Sequence, residues 1–500
     1  MALDEEAEDF AAAVALEPPE VAASAAPRLP LITKVLFGAG SMADGSQNII
    51  LGGLLLLYYS QVLKLPTQLV SVAIGVSLFV DAIWDLLLAQ FSDNLRSPLG
   101  RRHPLMYAAT IPAALAFLAI WTPPAHLAQG QLFAWLFVSV LAFRFSHSVY
   151  MVPSGALLPE LGKGYHDRTM LYGYRYLLGT IGGAMAAALT YGVFLRATPQ
   201  YPLGQLNPAG YPPIGLAVGV FIGVSYLIST VGTQSRIPGL YRPPAQRFQI
   251  GEALRQMGFI LKNHNFIVAT AAGMLSATAA ALIQGLAIYF NTFMFHLPAS
   301  NIVWLILTQL ISAPIAFALA PVVSRRLSKR TAFIGLHAAS LIFVYGPITL
   351  RLLGVLPPNG SPLLLPLLTA SSIAAGILTT SGAILNTSMI SDIVEENQAS
   401  TGRRSEGVVL FCDRLLLKVA SSFATILPGI LLGVVHFPAS VKPTAAPPAA
   451  IHSLALIYVP LAVSLSLFSM LTLLLFRIDR TAHDRNLQAI AAAKAAGGQP

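Results

Sequence analysis

Long runs of apolar residues, each broken by a short polar stretch, dominate the sequence between residues 33 and 476. About 20 mostly apolar residues are needed to cross about 30 Å of hydrocarbon as a helix. Runs of that kind lie near 33–59, 66–91, 104–122, 131–158, 171–195 and 211–233. A polar stretch rich in arginine and proline follows, from Ser235 to Asn265. Six further runs come near 266–293, 300–323, 331–352, 363–391, 407–435 and 451–476. The pattern predicts twelve membrane-spanning helices, six on each side of a linker.

This reading divides the chain into an N-terminal tail (1–29), a six-helix bundle (30–234), a linker (235–265), a second six-helix bundle (266–477) and a C-terminal tail (478–500). The first tail is acidic, alanine-rich and broken by prolines. It lacks the basic start and apolar core of a signal peptide and reads as disordered. An internal echo supports two related halves. Span 2 leads into Ser92-Asp93-Asn94-Leu95-Arg96, and the corresponding place after span 8 carries Ser324-Arg325-Arg326-Leu327-Ser328. Two such halves rocking about a midplane site are a common transporter design.

Composition sharpens the membrane assignment. Of 500 residues, 55% are hydrophobic and 10% are charged, and mean hydropathy is +0.69. A soluble chain has roughly 25% charged residues, so much of this surface must face lipid. The net charge of +9 does not signal nucleic acid, because the basic residues sit in short clusters between spans. Loops after spans 2, 4, 6, 8 and 10 hold Arg96, Arg101, Arg102, Lys163, Arg168, Arg236, Arg325, Arg326, Arg403 and Arg404, among others. The loops between them offer little beyond Lys64, Arg196, Arg351 and Lys442. This asymmetry predicts a multi-pass protein of a bacterial inner membrane with both termini in the cytoplasm. The single cysteine, Cys412, excludes an internal disulfide or a cysteine-rich metal site. No HExxH, P-loop or GxSxG motif points to an enzyme. No cofactor is expected beyond a coupling ion, sodium or proton, and no obligate protein partner is evident. The expected partners are a small-molecule substrate and membrane lipid.

Charges within spans cost at least about 2.5–3.5 kcal/mol at the bilayer centre and are functional candidates by default. Asp81 and Asp85 in VDAIWDLLL lie four apart and share one helix face. Two carboxylates there can coordinate a small cation or share a proton. Asp44 lies in FGAGSMADGSQN, a glycine-rich stretch that predicts a bent span 1 whose backbone can approach a ligand. It is a candidate for both cation and substrate. Arg144 and His147 share a face of span 4. Arg144 can balance an aspartate of span 1 or 2, or hold an anionic substrate, and His147 can line the path or shuttle protons. Arg175 in span 5, Gln284 in span 7 and Lys418 in span 11 complete the substrate set. Arg101, Arg102, Asp392, Glu395, Arg404 and Glu406 form a candidate cytoplasmic gate. Gly179/Gly183 and Gly429/Gly433, each four apart, suit close helix packing.

At these residues the chain resembles the glycoside–pentoside–hexuronide:cation symporters, the melibiose-permease-like branch of the major facilitator superfamily. The resemblance runs over roughly 33–477 and rests on FGAG…D…N, Asp81-x-x-x-Asp85, RSPLGRRHP, PSGALLPEL with YHDRT and YGYRY, GLAIYF, and SMISDIVEENQASTGRRSEG followed by Lys418. It implies an all-α fold of two pseudo-symmetric six-helix bundles and a secondary symporter driven by sodium or protons. The cargo would be a glycoside or other hydroxylated solute. Asp81 and Asp85 would bind the coupling cation, Asp44 lies near the family's span 1 acid, and Arg175 and Lys418 match buried cations near the cation and sugar sites. Sugar-binding members carry a carboxylate in span 4 and an aromatic four residues later. Here those places hold Met151 and Gly155, and Ala383 replaces an aromatic in span 10. Hydroxyl recognition and ring stacking both lose a group there. A lysolipid or other amphiphile on the same fold is the alternative cargo, and a non-transporting sensor is a further rival.

Overall fold

A computed structural model describes residues 29–162, 165–239, 257–401, 406–438 and 448–478, with a few positions between 482 and 490. The tails, most of the linker, and Lys163, Arg403 and Arg404 lie outside the described residues, as does the side chain of Glu406.

The first span is α1, Leu31–Ala39, resuming after Gly40 as Ser41–Leu57. The first bundle continues with α2 (Thr67–Asn94), α3 (His103–Trp121), α4 (Gln129–Leu161), α5 (Tyr165–Leu189) and α6 (Tyr211–Gln234). The second contains α7 (His264–Tyr289), α8 (Ala299–Leu307 and Gln309–Arg326), α9 (Lys329–Leu352), α10 (Leu364–Thr401), α11 (Glu406–Ala424 and Leu427–Val434) and α12 (Pro448–Leu473). Among the described residues, eleven helices are long and apolar enough to cross a membrane, and the interrupted α1 is the twelfth span.

Each apolar run became the expected helix, with differences at the ends. α1 is interrupted at Gly40, whose backbone stays helical and lies close to the hydroxyl of Tyr150 on α4. No Cβ would fit. The expected continuous span 11 is interrupted after Ala424, where Pro428 opens a new helical segment; a proline has no N–H to give to the preceding turn. The expected span 10 extends from 391 to Thr401, so Asp392 and Glu395 sit on helix rather than loop.

Contacts between helices repeat from one bundle to the other. In the first, α1 packs on α5 and α6, α3 on α4 and α6, and α2 on α4. In the second, α7 packs on α11 and α12, α9 on α10 and α12, and α8 on α10. Between bundles, α2 meets α11, α5 meets α8, and α1 meets α7. Adding six to each number maps the first set onto the second. This is the pseudo-symmetry suggested by the loop echo. Local details repeat too: α1 and α7 both end in one π turn, Tyr58–Val62 and Phe290–Met294, each followed by a residue of positive φ, Lys64 and His296.

The glycine pairs serve packing. A Cβ on Gly183 would stand 3.0 Å from the Gly45 carbonyl oxygen, bringing α5 against α1 backbone to backbone. Gly429 of α11 lies against Thr67 and Ser71 of α2.

The first residues of α1 and the last of α12 lie on one face, called here the terminal face. Over the opposite face the halves are bonded together. Ser60 and the Tyr289 hydroxyl are 2.6 Å apart. Gln61 donates to the Pro438 carbonyl. Gln205 donates to Thr292 and to the Leu297 carbonyl. Phe437 packs edge-on against Tyr289 and Phe293.

Candidate functional site

Between the halves, at mid-depth, α11 reaches across to α2. Lys418 Nζ lies 2.8 Å from Asp81 Oδ2 and also bonds Asp85. The (i, i+4) spacing puts both carboxylates on one face, one above the other, so a single ammonium with three donors bonds both. Asp81 is buried, while Asp85 and Lys418 are partly open. The Ser148 hydroxyl of α4 donates to Asp81 Oδ1 at 2.7 Å. Burying one aspartate unpaired would be costly; here Asp81 has a cation on one oxygen and a hydroxyl on the other.

Arg144 lies one turn from Ser148. It makes no direct ion pair with an aspartate among the described residues. Its Nε donates to the Ser77 hydroxyl at 3.0 Å, and its charge acts on Asp81 from a distance. Ser77 is four residues before Asp81, on the same face of α2.

A second cluster centres on Asp44 of α1. Its Oδ1 lies 3.4 Å from His147 Nε2 and accepts from Gln47 at 3.3 Å and Asn48 at 3.2 Å. His147 Nδ1 in turn lies 2.6 Å from the Tyr226 hydroxyl, and the Tyr226 ring stacks on Tyr150 at 3.7 Å. The imidazole is thereby held between an acid and a phenol. Arg175 donates to Ser41 at 3.2 Å and lies over the Phe37 ring, on the same wall as Asp44. Gln284 joins neither cluster. It is exposed and donates to the Asn48 carbonyl at 3.3 Å, where α7 meets α1.

The candidate gate residues separate by half. Arg101 and Arg102 both bond Glu160 of α4, at 2.8 and 3.1 Å, and Arg102 also pairs with Asp93. Lys329 pairs with Asp392 at 2.6 Å. Glu396 accepts from Asn263 and Asn265. These bonds each join helices of one half at the terminal face. Arg404 and the Glu406 side chain lie outside the described residues.

Sequence reasoning missed several groups. Ser148 had a signal, one turn beyond Arg144 on the face already marked. Tyr226 had none, since a tyrosine in an apolar span reads as packing until His147 is placed beside it. Glu160 and the Lys34–Asp167 pair at 2.7 Å depend on helices meeting that the sequence does not pair.

Residues 36–480 match the family model described as MFS/sugar transport protein. The chain belongs to this family. The melibiose-permease-like resemblance fits it, and the family's transporters carry the fold described above. An uncharacterised symporter of Synechocystis sp. (sll1374) is 28% identical over 242 residues, covering 47% of this chain and 43% of that protein; the match spans less than half of that relative's length. A putative sulfoquinovose importer of Salmonella typhimurium is 22% identical over 408 residues, covering 81% of each chain. Among solved structures, the nucleoside transporter NupG aligns with a TM-score of 0.59 at 15% identity, over 88% of this chain and 98% of that one. That likeness concerns the fold. As a member of the MFS/sugar transport family, this chain is a multi-pass membrane protein.

Proposed function

We propose that the protein is a cation-coupled symporter that moves a glycoside or other hydroxylated small solute by alternating access. The observation that carries this reading is the Lys418 ammonium seated on Asp81 and Asp85. The amine belongs to one half and the acids to the other. A sodium ion or proton arriving at the carboxylates takes over the neutralising role of the ammonium, which frees α11 to move relative to α2. Ion occupancy and the relative position of the halves are then linked. By reciprocity, a solute that prefers the ion-loaded arrangement tightens ion binding by the same factor. The Asp44–His147–Tyr226 chain, close to Arg175, supplies donors and acceptors for hydroxyl groups. Relatives named as a symporter and as a sulfoquinovose importer support the same class. The basic loops of the terminal face argue for placing that face, and both termini, in the cytoplasm.

The test is solute uptake into vesicles with and without an imposed sodium or proton gradient. Gradient-driven accumulation is expected, and Asp85→Asn is expected to abolish it. Uptake that ignores both gradients and survives Asp85→Asn rejects the coupling.

A further inference from the structure

The terminal face of the second half holds a cavity of about 480 Å³, apart from both clusters described above. Its walls come from the start of α7 (Asn263, His264 and Asn265), the end of α10 (Glu396) and the chain beyond α12 (Arg477 and Arg485). The acceptors of these side chains are already taken. Asn263 and Asn265 donate to the two oxygens of Glu396, at 3.1 and 2.7 Å. The Asn263 carbonyl oxygen accepts from the Phe266 N–H at 3.0 Å, and that of Asn265 from the Arg477 N–H at 2.9 Å. Main-chain carbonyls just past α12, which would repel an anion, are covered too. Arg330 of α9 donates to the Phe476 carbonyl at 2.9 Å, and His264 Nε2 lies 3.1 Å from the Leu475 carbonyl. Donors are what remain. Arg477 is exposed, and among the described residues no acceptor meets its guanidinium.

The first half shows the same region without such a surplus. Arg236, just past α6, donates to Thr33 of α1 at 3.2 Å, and Glu160, at the end of α4, is neutralised by Arg101 and Arg102. In the second half two neutral amides hold the acid instead, and the arginine beyond the last helix is left to the cavity. Two arginines face one glutamate there. The surroundings are those of a membrane surface. Phe468, Leu471, Leu474 and Leu475 are exposed, so an apolar, lipid-facing strip runs along α12 to the rim of the cavity.

We propose that this cavity binds a phosphate group of net negative charge, gripped by Arg477 and Arg485. Guanidinium forks match phosphate oxygens, and basic pockets between membrane helices at this level hold anionic headgroups. A neutral polyol would find donors but few free acceptors, and a cation would meet two arginines. An anionic phospholipid and a soluble phosphate ester both present the required group. The site lies within one half and is separate from the symport reading.

The experiment is native mass spectrometry of the full-length protein released from nanodiscs of mixed phosphatidylcholine and phosphatidylglycerol. A thermal-shift titration with glycerol 3-phosphate in detergent is the soluble arm. Phosphatidylglycerol is expected to be retained at least about tenfold over phosphatidylcholine, the worth of one charge-assisted contact. The double variant Arg477→Gln/Arg485→Gln is expected to erase that preference and any shift by glycerol 3-phosphate. Arg477→Lys, which keeps the charge without the fork, is expected to keep part of both. Each of these variants leaves the main-chain N–H of residue 477 on Asn265. Arg326→Gln, at an exposed arginine ending α8, is expected to change neither response, which separates the cavity from general attraction to a basic face. Lipid preference without a response to glycerol 3-phosphate assigns the site to a phospholipid. A saturable shift without lipid preference assigns it to a soluble ester. Neither response, a response that survives the double variant, or an equal loss in Arg326→Gln overturns the proposal.

Discussion

At the scale of single residues, the decisive feature is that one ammonium serves two carboxylates. Lys418→Gln removes the cation and leaves Asp81 and Asp85 facing each other. Stranding a buried charge costs about 3–5 kcal/mol, so the variant is expected to melt well below the parent in sodium-free buffer. Added sodium is expected to restore part of the loss in a thermal-shift measurement. Equal melting of variant and parent in both buffers would mean that the lysine is not the resident counter-ion. Asp81 and Asp85 were readable as a pair from their spacing, and Lys418 as a buried cation from its place in an apolar run. That the three meet was not readable, because 333 residues separate Asp85 from Lys418 and no local pattern couples them. The case of Arg144 runs the other way. Its burial in span 4 was legible, but its partner is Ser77, a residue too common in spans to stand out.

At the scale of elements, backbone proximity rather than side-chain interlock holds α1 to α5. A Cβ at Gly45 would overlap the Gly179 carbonyl. Gly45→Ala is therefore expected to destabilise the first bundle by about 1–3 kcal/mol, the usual cost of overpacking, seen as a lower melting temperature and a poorer monodisperse yield. Gly335 on α9 meets nothing within 4 Å. Gly335→Ala is expected to be neutral or stabilising by about 0.5–1 kcal/mol, because it removes only glycine's entropic cost. The four-residue spacing of Gly179/Gly183 announced a close helix contact in the sequence. It did not say which helix, and the partner on α1 is itself a glycine. Helix ends were less legible than helix middles. Proline at 428 was visible, yet whether it bends, breaks or opens a helix depends on what packs around it.

At the scale of the whole molecule, the halves are bonded together over the face opposite the termini, through Ser60–Tyr289, Gln61–Pro438 and Gln205–Thr292. If those bonds mark a gate, fixing them should stop the cycle. Cysteines placed at 60 and 289 and joined by a short bifunctional thiol-alkylating linker are expected to abolish uptake, and a cleavable linker to restore it on cleavage. Cys412, the single native cysteine, is replaced by alanine so that the introduced pair are the only thiols, and linking proceeds in the state that opens this face. Uptake persisting after complete linking would move the gate elsewhere. The gate residues inferred at the terminal face form, among the described residues, one cluster per half: Arg101 and Arg102 with Glu160, and Lys329 with Asp392.

The sequence by itself determined the number of spans, their grouping into six and six, and the acids and bases that lie inside them. Those properties are local: hydrocarbon thickness fixes the length of an apolar run, and the cost of a buried charge makes every intramembrane ion conspicuous. Tertiary structure alone decided which charge neutralises which. Lys418 took both aspartates, His147 took Asp44 and Tyr226, and Arg144 took a serine. Twelve apolar rods can be packed in many orders that bury similar area, and lipid favours none of them. Close glycine contacts and pairing of polar groups across helices, distributed over the whole chain, select one.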